Sequence, residues 1–352
     1  MKPSSPAVVA TLLVAVSLAV PVGATQAAVT LRSYLARAVT LTEAEFAAID
    51  SGRPINKALA PRSGPEIFVL GVVRVIAPPA VYVARALNPA HLMDLPGYRG
   101  TGVIGDPATT DQLAGFTLEP EDLVEARNCK PADCAVQFPT TVMQDVRAAA
   151  GNPNPATAAA QANQRVRQMA ADLVRDYRMR GNEALPVFTD DSRPSSTRDQ
   201  FGSLMQRFVA WSLAPPELIR VLYDYPKAGI APPGLASVFS WEKVEFGLKP
   251  TLRVTHTIAY TPHASSGLGC AVAIKQLYSS HYMRAAIDFT ACVNAADVNG
   301  RPSFYLVAVK GSRQENITGL TGSLIRRIVV SRTRTAQDGA LTRLKNALEK
   351  AR

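Results

Sequence analysis

The chain has 352 residues, 47% of them hydrophobic and 19% charged, with a formal net charge of +10. That much apolar content excludes the disordered class, and the length allows one large domain or two ordinary ones. The basic excess fits an anionic surface, and export, argued next, makes lipid head groups or wall polymers better partners than nucleic acid.

Residues 1–28 have the three parts of a secretion signal: Lys2, an apolar run of 14 residues from Ala7 to Val20, and small residues after Pro21. Val22 and Ala24 suit cleavage after Ala24, with Ala27 as the alternative. Fourteen apolar residues fall short of the roughly 20 that span a hydrocarbon core. The best later candidate for a span, Ile67–Ala84, is interrupted by Arg74, Pro78 and Pro79. An exported, periplasmic or extracellular protein with a cleaved signal is therefore expected.

Leu31–Ala60 reads as helix and loop, with Thr42-Glu43-Ala44-Glu45 as a helix start. Glu66–Ile76 is rich in β-branched residues and predicts a strand, and Pro78-Pro79 opens a helix over Ala80–Leu87. Gly97–Thr117 predicts short strands and Leu118–Asp122 a turn. Glu125–Cys129 and Cys134–Phe138 read as two short strands. Ala148–Ala160 has the composition of a connector. Gln161–Arg180 predicts a helix with Ala162, Val166, Met169, Ala170, Leu173, Val174 and Tyr177 on one stripe. Phe201–Leu213 and Pro216–Leu222 add two short helices. From Ala236 the period becomes two, predicting strands at 238–246, 252–261, 270–278, 282–293 and 303–310. A long helix closes the chain, about Gly322–Ala351, with Leu324, Ile325, Ile328, Val329, Leu341, Leu344 and Leu348 as its apolar side and Gly339 as a kink.

Four cysteines in an exported chain predict two disulfides, for which three connectivities exist. Cys129 and Cys134 flank a turn, and Cys270 and Cys292 lie in one hairpin, so those two pairs are expected. A metal site is the weaker rival, because the spacing is not C-x2-C and no histidine lies near Cys129.

Two stretches resemble the START-like (polyketide cyclase and lipid-transport, helix-grip) superfamily. One is VLGVVRVI running into APPAVYVARALNPAHLM; the other is SFYLVAV passing through GSRQENITGLTG into a helix ending LTRLKNALEKA. The resemblance covers about a quarter of the chain. It implies an α+β fold, a curved antiparallel sheet gripping a long C-terminal helix, in which residues 31–139 form the N-terminal part, 140–235 a helical insertion, and 236–352 the C-terminal sheet and helix. It also implies an apolar sheet–helix cavity for lipids, sterols or polyketide-like molecules. WEKVEFGLKPTLRVTHTIAY and KQLYSSHY are similar to a family of exported bacterial proteins with no assigned activity.

No catalytic motif is complete. The histidines, His91, His256, His263 and His281, lack metal-ligand spacing, and no HExxH occurs. Ser265-Ser266-Gly267-Leu268-Gly269 lacks the first glycine of a nucleophile elbow. A serine–histidine pair from Ser279 or Ser280 with His256 or His281 stays open. Gly319–Ser323 reads as turn and helix cap, without a Walker lysine. The polar-aromatic run Lys275–Arg284 fits either a wet sheet edge or a pocket wall. Its members Lys275, Tyr278, His281, Tyr282 and Arg284, with Arg313 before the last helix, are the candidate ligand-binding residues. Asp288 with Arg284 also reads as an ion pair.

The leading expectation is a soluble exported protein that binds a hydrophobic or amphipathic, lipid-like small molecule, with no cofactor and no metal. The alternatives are a hydrolase or cyclase acting on such a molecule through His281 or His256, and an envelope protein whose basic last helix contacts anionic lipid.

Overall fold

The computed structural model describes residues 30–61, 64–191, 193–227, 229, 231–245, 249–314 and 319–351. The secretion signal expected over 1–28 lies outside these residues. In chain order the elements are α1 (Leu31–Ala38), α2 (Glu43–Asp50), β1 (Ile55–Leu59), β2 (Glu66–Val75), α3 (Pro79–Ala86), β3 (Tyr98–Ile104), α4 (Pro120–Asn128), α5 (Met143–Ala150) and α6 (Pro155–Arg180). Then follow β4 (Val187–Phe188), β5 (Ser195–Ser196), α7 (Thr197–Trp211), α8 (Pro216–Asp224), β6 (Leu235–Glu245), β7 (Pro250–Tyr260), β8 (Leu268–Ser279), β9 (Ala285–Val298), β10 (Arg301–Arg313) and α9 (Gly319–Lys350).

Eight strands form one antiparallel sheet in the order β1-β2-β10-β9-β8-β7-β6-β3. The meander β6 to β10 supplies its middle. β2 folds back on β10 at one side, and β3 pairs with β6 at the other. With the long terminal helix and the helices inserted between β3 and β6, this is the expected α+β class.

The two faces of the sheet carry different cores. Phe68, Leu70, Val72, Ile258, Ala273, Ile287, Phe289 and Val309 pack with Phe201, Leu204, Phe208, Leu218 and Leu222 of α7 and α8. Further along the same face, Phe239, Leu252, Val254 and Leu277 pack with α4, α5 and α6. We call this the insertion face. On the other face Val73, Val75, Cys270, Val272, Cys292, Phe304 and Leu306 meet Tyr82 of α3 and Leu341 and Leu348 of α9. There Gly71 lets α9 sit directly on β2: a Cβ at that position would come within 2.7 Å of the Gln337 and Leu341 side chains. The α6 stripe read from the sequence is buried throughout.

Cys129–Cys134 and Cys270–Cys292 are both disulfides, with Cα separations of 4.4 and 4.9 Å. Cys270 and Cys292 are register partners on β8 and β9, so the bond ties neighbouring strands. No described helix is long and apolar enough to cross a membrane.

Several local expectations are corrected. Residues 120–128 are helix α4 rather than a turn and a strand: Pro120 takes the first helical position, with Glu121 and Asp122 in the first turn. The connector expected over Ala148–Ala160 shrinks to residues 151–154, because Asn154 caps α6 through the backbone N–H of Thr157. Leu31–Ala60 also holds strand β1. On α9, Leu324, Ile325 and Ile328 are exposed rather than packed, and the helix continues through Gly339.

Candidate functional site

On the insertion face of β7, alternation places Leu252, Val254, His256, Ile258 and Tyr260 in one row. Four of the five are ordinary core residues; His256 is the exception. It is fully buried, and neither ring nitrogen has a hydrogen-bond partner among the described residues. Its ring stacks on Phe239, with centroids 4.2 Å apart and planes 8° apart, and contacts Tyr225 at 4.8 Å and Tyr177 at 5.7 Å. Burial, helped by nearby Lys275, holds the imidazole well below its usual pKa, so it is neutral. A neutral imidazole offers one donor and one acceptor.

Lys275 on β8 is the register partner of His256, on the same face. Its Nζ donates to Asn182 Oδ1, to the Tyr177 hydroxyl at 3.2 Å and to the Leu222 carbonyl at 3.4 Å. The Phe201 ring lies 4.1 Å and the Tyr177 ring 5.0 Å from Nζ. Burial pushes the amine far below its ordinary value. The sheet thus holds a neutral histidine and a lysine side by side, both buried and both with pKa values depressed by that burial. Tyr177 closes the group from α6, its hydroxyl kept protonated by burial.

His256 is among the residues that line a pocket of about 90 Å³. Val221, Tyr225, Pro226, Leu235 and Ile258 give it apolar walls, and Lys227 and Ser237 bring polar groups to it. Its volume corresponds to about three water molecules of liquid, so it admits a small ring or a chain end rather than a whole lipid. A wider opening of about 530 Å³ lies between β1 and α9. That one is an open groove in which Lys57 pairs with Glu45 and Asn56 Nδ2 with Asp338, while buried Asn56 Oδ1 has no hydrogen-bond partner among the described residues. The smaller pocket is the better candidate, because it sets a fully buried imidazole with no hydrogen-bond partner among the described residues within mainly apolar walls.

The six candidate ligand residues are not gathered in one place. Lys275 stands beside the pocket. The Tyr278 hydroxyl donates to the Gln137 carbonyl at 2.9 Å, and His281 Nε2 lies 3.1 Å from Asp122 Oδ2. The Tyr282 hydroxyl accepts from the backbone N–H of Lys249 at 3.0 Å, and Arg284 donates to Asp190 at 2.8 Å. Tyr278, His281 and Arg284 dock the inserted segment, including α4, onto the β8–β9 end of the sheet, while Tyr282 bonds the β6–β7 connection. Arg313 sits elsewhere, bonded to Gln200 of α7 and Glu66 of β2. Asp288 pairs with Lys310 at 2.8 Å, while Arg284 takes Asp190.

Neither open serine–histidine pairing forms. Ser280 Oγ accepts from the Leu252 N–H, and Ser279 Oγ donates to the His281 carbonyl. His263 Nδ1 lies 2.9 Å from Ser265 Oγ, in an exposed turn where the histidine caps its own 3-10 segment. Sequence reasoning weighed His256 only as a metal ligand or catalytic partner. The signal that marks it is its place in the apolar alternation of β7. Asn182, Tyr225 and Phe239 had no comparable signal, because tertiary contacts bring them in. Compared with known protein families and with curated proteins, the chain matches no family model and no curated protein.

Proposed function

We propose that this chain is an exported, START-like protein that binds an apolar or amphipathic small molecule without transforming it. The observation that carries the reading is His256: a fully buried imidazole in the lining of a mainly apolar pocket, with neither nitrogen partnered among the described residues. A buried polar group without a partner costs roughly 1–3 kcal/mol. A ligand that enters between Val221, Pro226 and Leu235 and presents one polar atom recovers that cost. Because the buried imidazole is neutral and offers one donor and one acceptor, a hydroxyl or carbonyl is its matching partner. The pocket holds the polar-tipped end of such a ligand, and the remainder lies outward past Lys227. The secretion signal read in the sequence and the two disulfides support an extracytoplasmic setting. The test is mass spectrometry of an organic extract of the purified protein. The reading expects a hydroxylated or carbonyl-bearing apolar compound in stoichiometric amount, absent from the extract of His256→Leu. An identical extract from both proteins counts against it.

A second reading, contact with an anionic membrane, is favoured by one observation. Leu324, Ile325 and Ile328 are 61%, 40% and 46% exposed beside exposed Arg327. Apolar and cationic side chains together on an exposed helix face suit an interfacial helix. The expected result is pelleting with anionic vesicles at low salt, release at high salt, and loss of pelleting in Leu324→Glu/Ile328→Glu.

A further inference from the structure

The sheet's other face, the one gripped by α3 and α9, carries a polar stripe. Register and alternation place Glu242 of β6, Arg253 of β7, Gln276 of β8, Asp288 of β9 and Lys310 of β10 on that face. Each of five consecutive strands contributes one such group. Arg253 pairs with Glu242 at 3.2 Å, and both are at most 5% exposed. Thr255 bridges Glu242 and Ser240, at 3.4 and 2.9 Å. At the stripe's other end, Lys310 and Asp288 pair at 2.8 Å, but their side chains are 40% and 26% exposed. The stripe therefore runs from buried charge to solvent-reachable charge across the middle of a sheet, where core residues would otherwise stand. Gln276 sits between the two pairs. It is 1% exposed; its Nε2 donates to the Met283 carbonyl, while Oε1 has no partner among the described residues. Tyr82 of α3 hydrogen-bonds Thr290 on this face, and Tyr98 of β3 lies within electrostatic reach of Glu242, Arg253 and Asp288.

We propose that this stripe is a second binding site, distinct from the His256 pocket, for a neutral, hydroxyl-rich ligand of saccharide type. Two acids and two bases cancel, so a charged ligand gains nothing from the site's net charge. Carboxylate and amide oxygens stand beside guanidinium and ammonium donors, and a hydroxyl both donates and accepts. Gln276 Oε1 supplies a buried acceptor with no partner among the described residues, and partly exposed Tyr98 supplies ring surface for the apolar side of a sugar. Buried charge costs stability unless paired. Pairing explains why the stripe is tolerated; the unused Gln276 acceptor and the solvent-reachable Asp288–Lys310 end point to a ligand.

The test is an array of neutral oligosaccharides probed with the full-length mature protein, followed by calorimetry on the strongest binder. Asp288→Ala/Lys310→Ala removes the pair without leaving a lone charge, and Gln276→Leu removes the acceptor. Each is expected to weaken binding at least tenfold, whereas His256→Leu leaves it unchanged. Thermal melts show whether each variant is folded, and the half-exposed double variant keeps the test alive if Gln276→Leu is not. Binding to no neutral oligosaccharide overturns the proposal. So does binding only to charged glycans, or binding that a folded double variant retains.

Discussion

The two faces of one sheet bury polar groups by opposite means. On the insertion face, His256 and Lys275 lie among aromatic rings with pKa values depressed by burial, and the imidazole nitrogens have no hydrogen-bond partner among the described residues. On the α3/α9 face, Glu242, Arg253, Asp288 and Lys310 are held as ion pairs. A buried ionisable group survives either by giving up its charge or by finding an opposite one. The first route leaves hydrogen-bonding capacity in an apolar pocket; the second builds a polar surface. The faces should therefore recognise different chemistry, and mutations should separate them.

The largest expected effect is on the paired face. Arg253→Met leaves Glu242 buried and uncompensated and should cost about 3–5 kcal/mol in denaturant unfolding, while adding Glu242→Leu should restore most of it. If the single variant is as stable as wild type, the pair is not the desolvated one described above. Next, removing the Cys270–Cys292 disulfide, which closes a 22-residue separation, should cost about 3 kcal/mol by the same measurement.

His256→Leu is expected to act in the reverse direction. Replacing an unpartnered imidazole by an apolar side chain should raise stability by about 1 kcal/mol while weakening ligand binding at least tenfold. A loss of stability instead would show that the imidazole is satisfied in the fold.

The smallest effect is in pH dependence. In the fold His256 and Lys275 titrate well below 6.5 and 10.5, the values they regain on unfolding. Between the folded and unfolded values the unfolded chain binds protons that the fold refuses, so stability falls as pH drops below 10.5 and falls further below 6.5. Melting temperature should thus rise as pH climbs toward 10.5. Lys275→Met should flatten that rise and keep the loss below 6.5.

How much of this was legible follows from the range of each signal. The meander β6 to β10 could be read because strict alternation over ten or so residues is local. So could Thr42 as a cap: its hydroxyl accepts from the Glu45 N–H while Glu45 reaches back. Helix α4 was not legible as such, since Leu-Glu-Pro-Glu-Asp suits a turn as well as a helix start, and packing of Ala126 decides between them. The start of α6 was hidden by its Asn, Pro and Ala content. Of the site, Lys275 was singled out for its charge within an apolar strand, but its pairing with His256 depends on the β7–β8 register. The polar stripe needs that register across five strands. Tyr278, His281 and Arg284 cluster in sequence yet turn out to clasp the inserted segment. A polar-aromatic run marks a place where something packs, and it does not say whether ligand or protein does so.

The most direct measurement is an NMR titration of protein labelled with 15N in its histidine rings, using phenol as a ring bearing one hydroxyl. Binding in the pocket predicts that both His256 ring nitrogens shift saturably while His91, His263 and His281 stay still, and that added Lys275→Met leaves the site saturable. His256 signals that never move at saturating phenol, or that move no more than those of the exposed histidines, would contradict a binding role for this pocket.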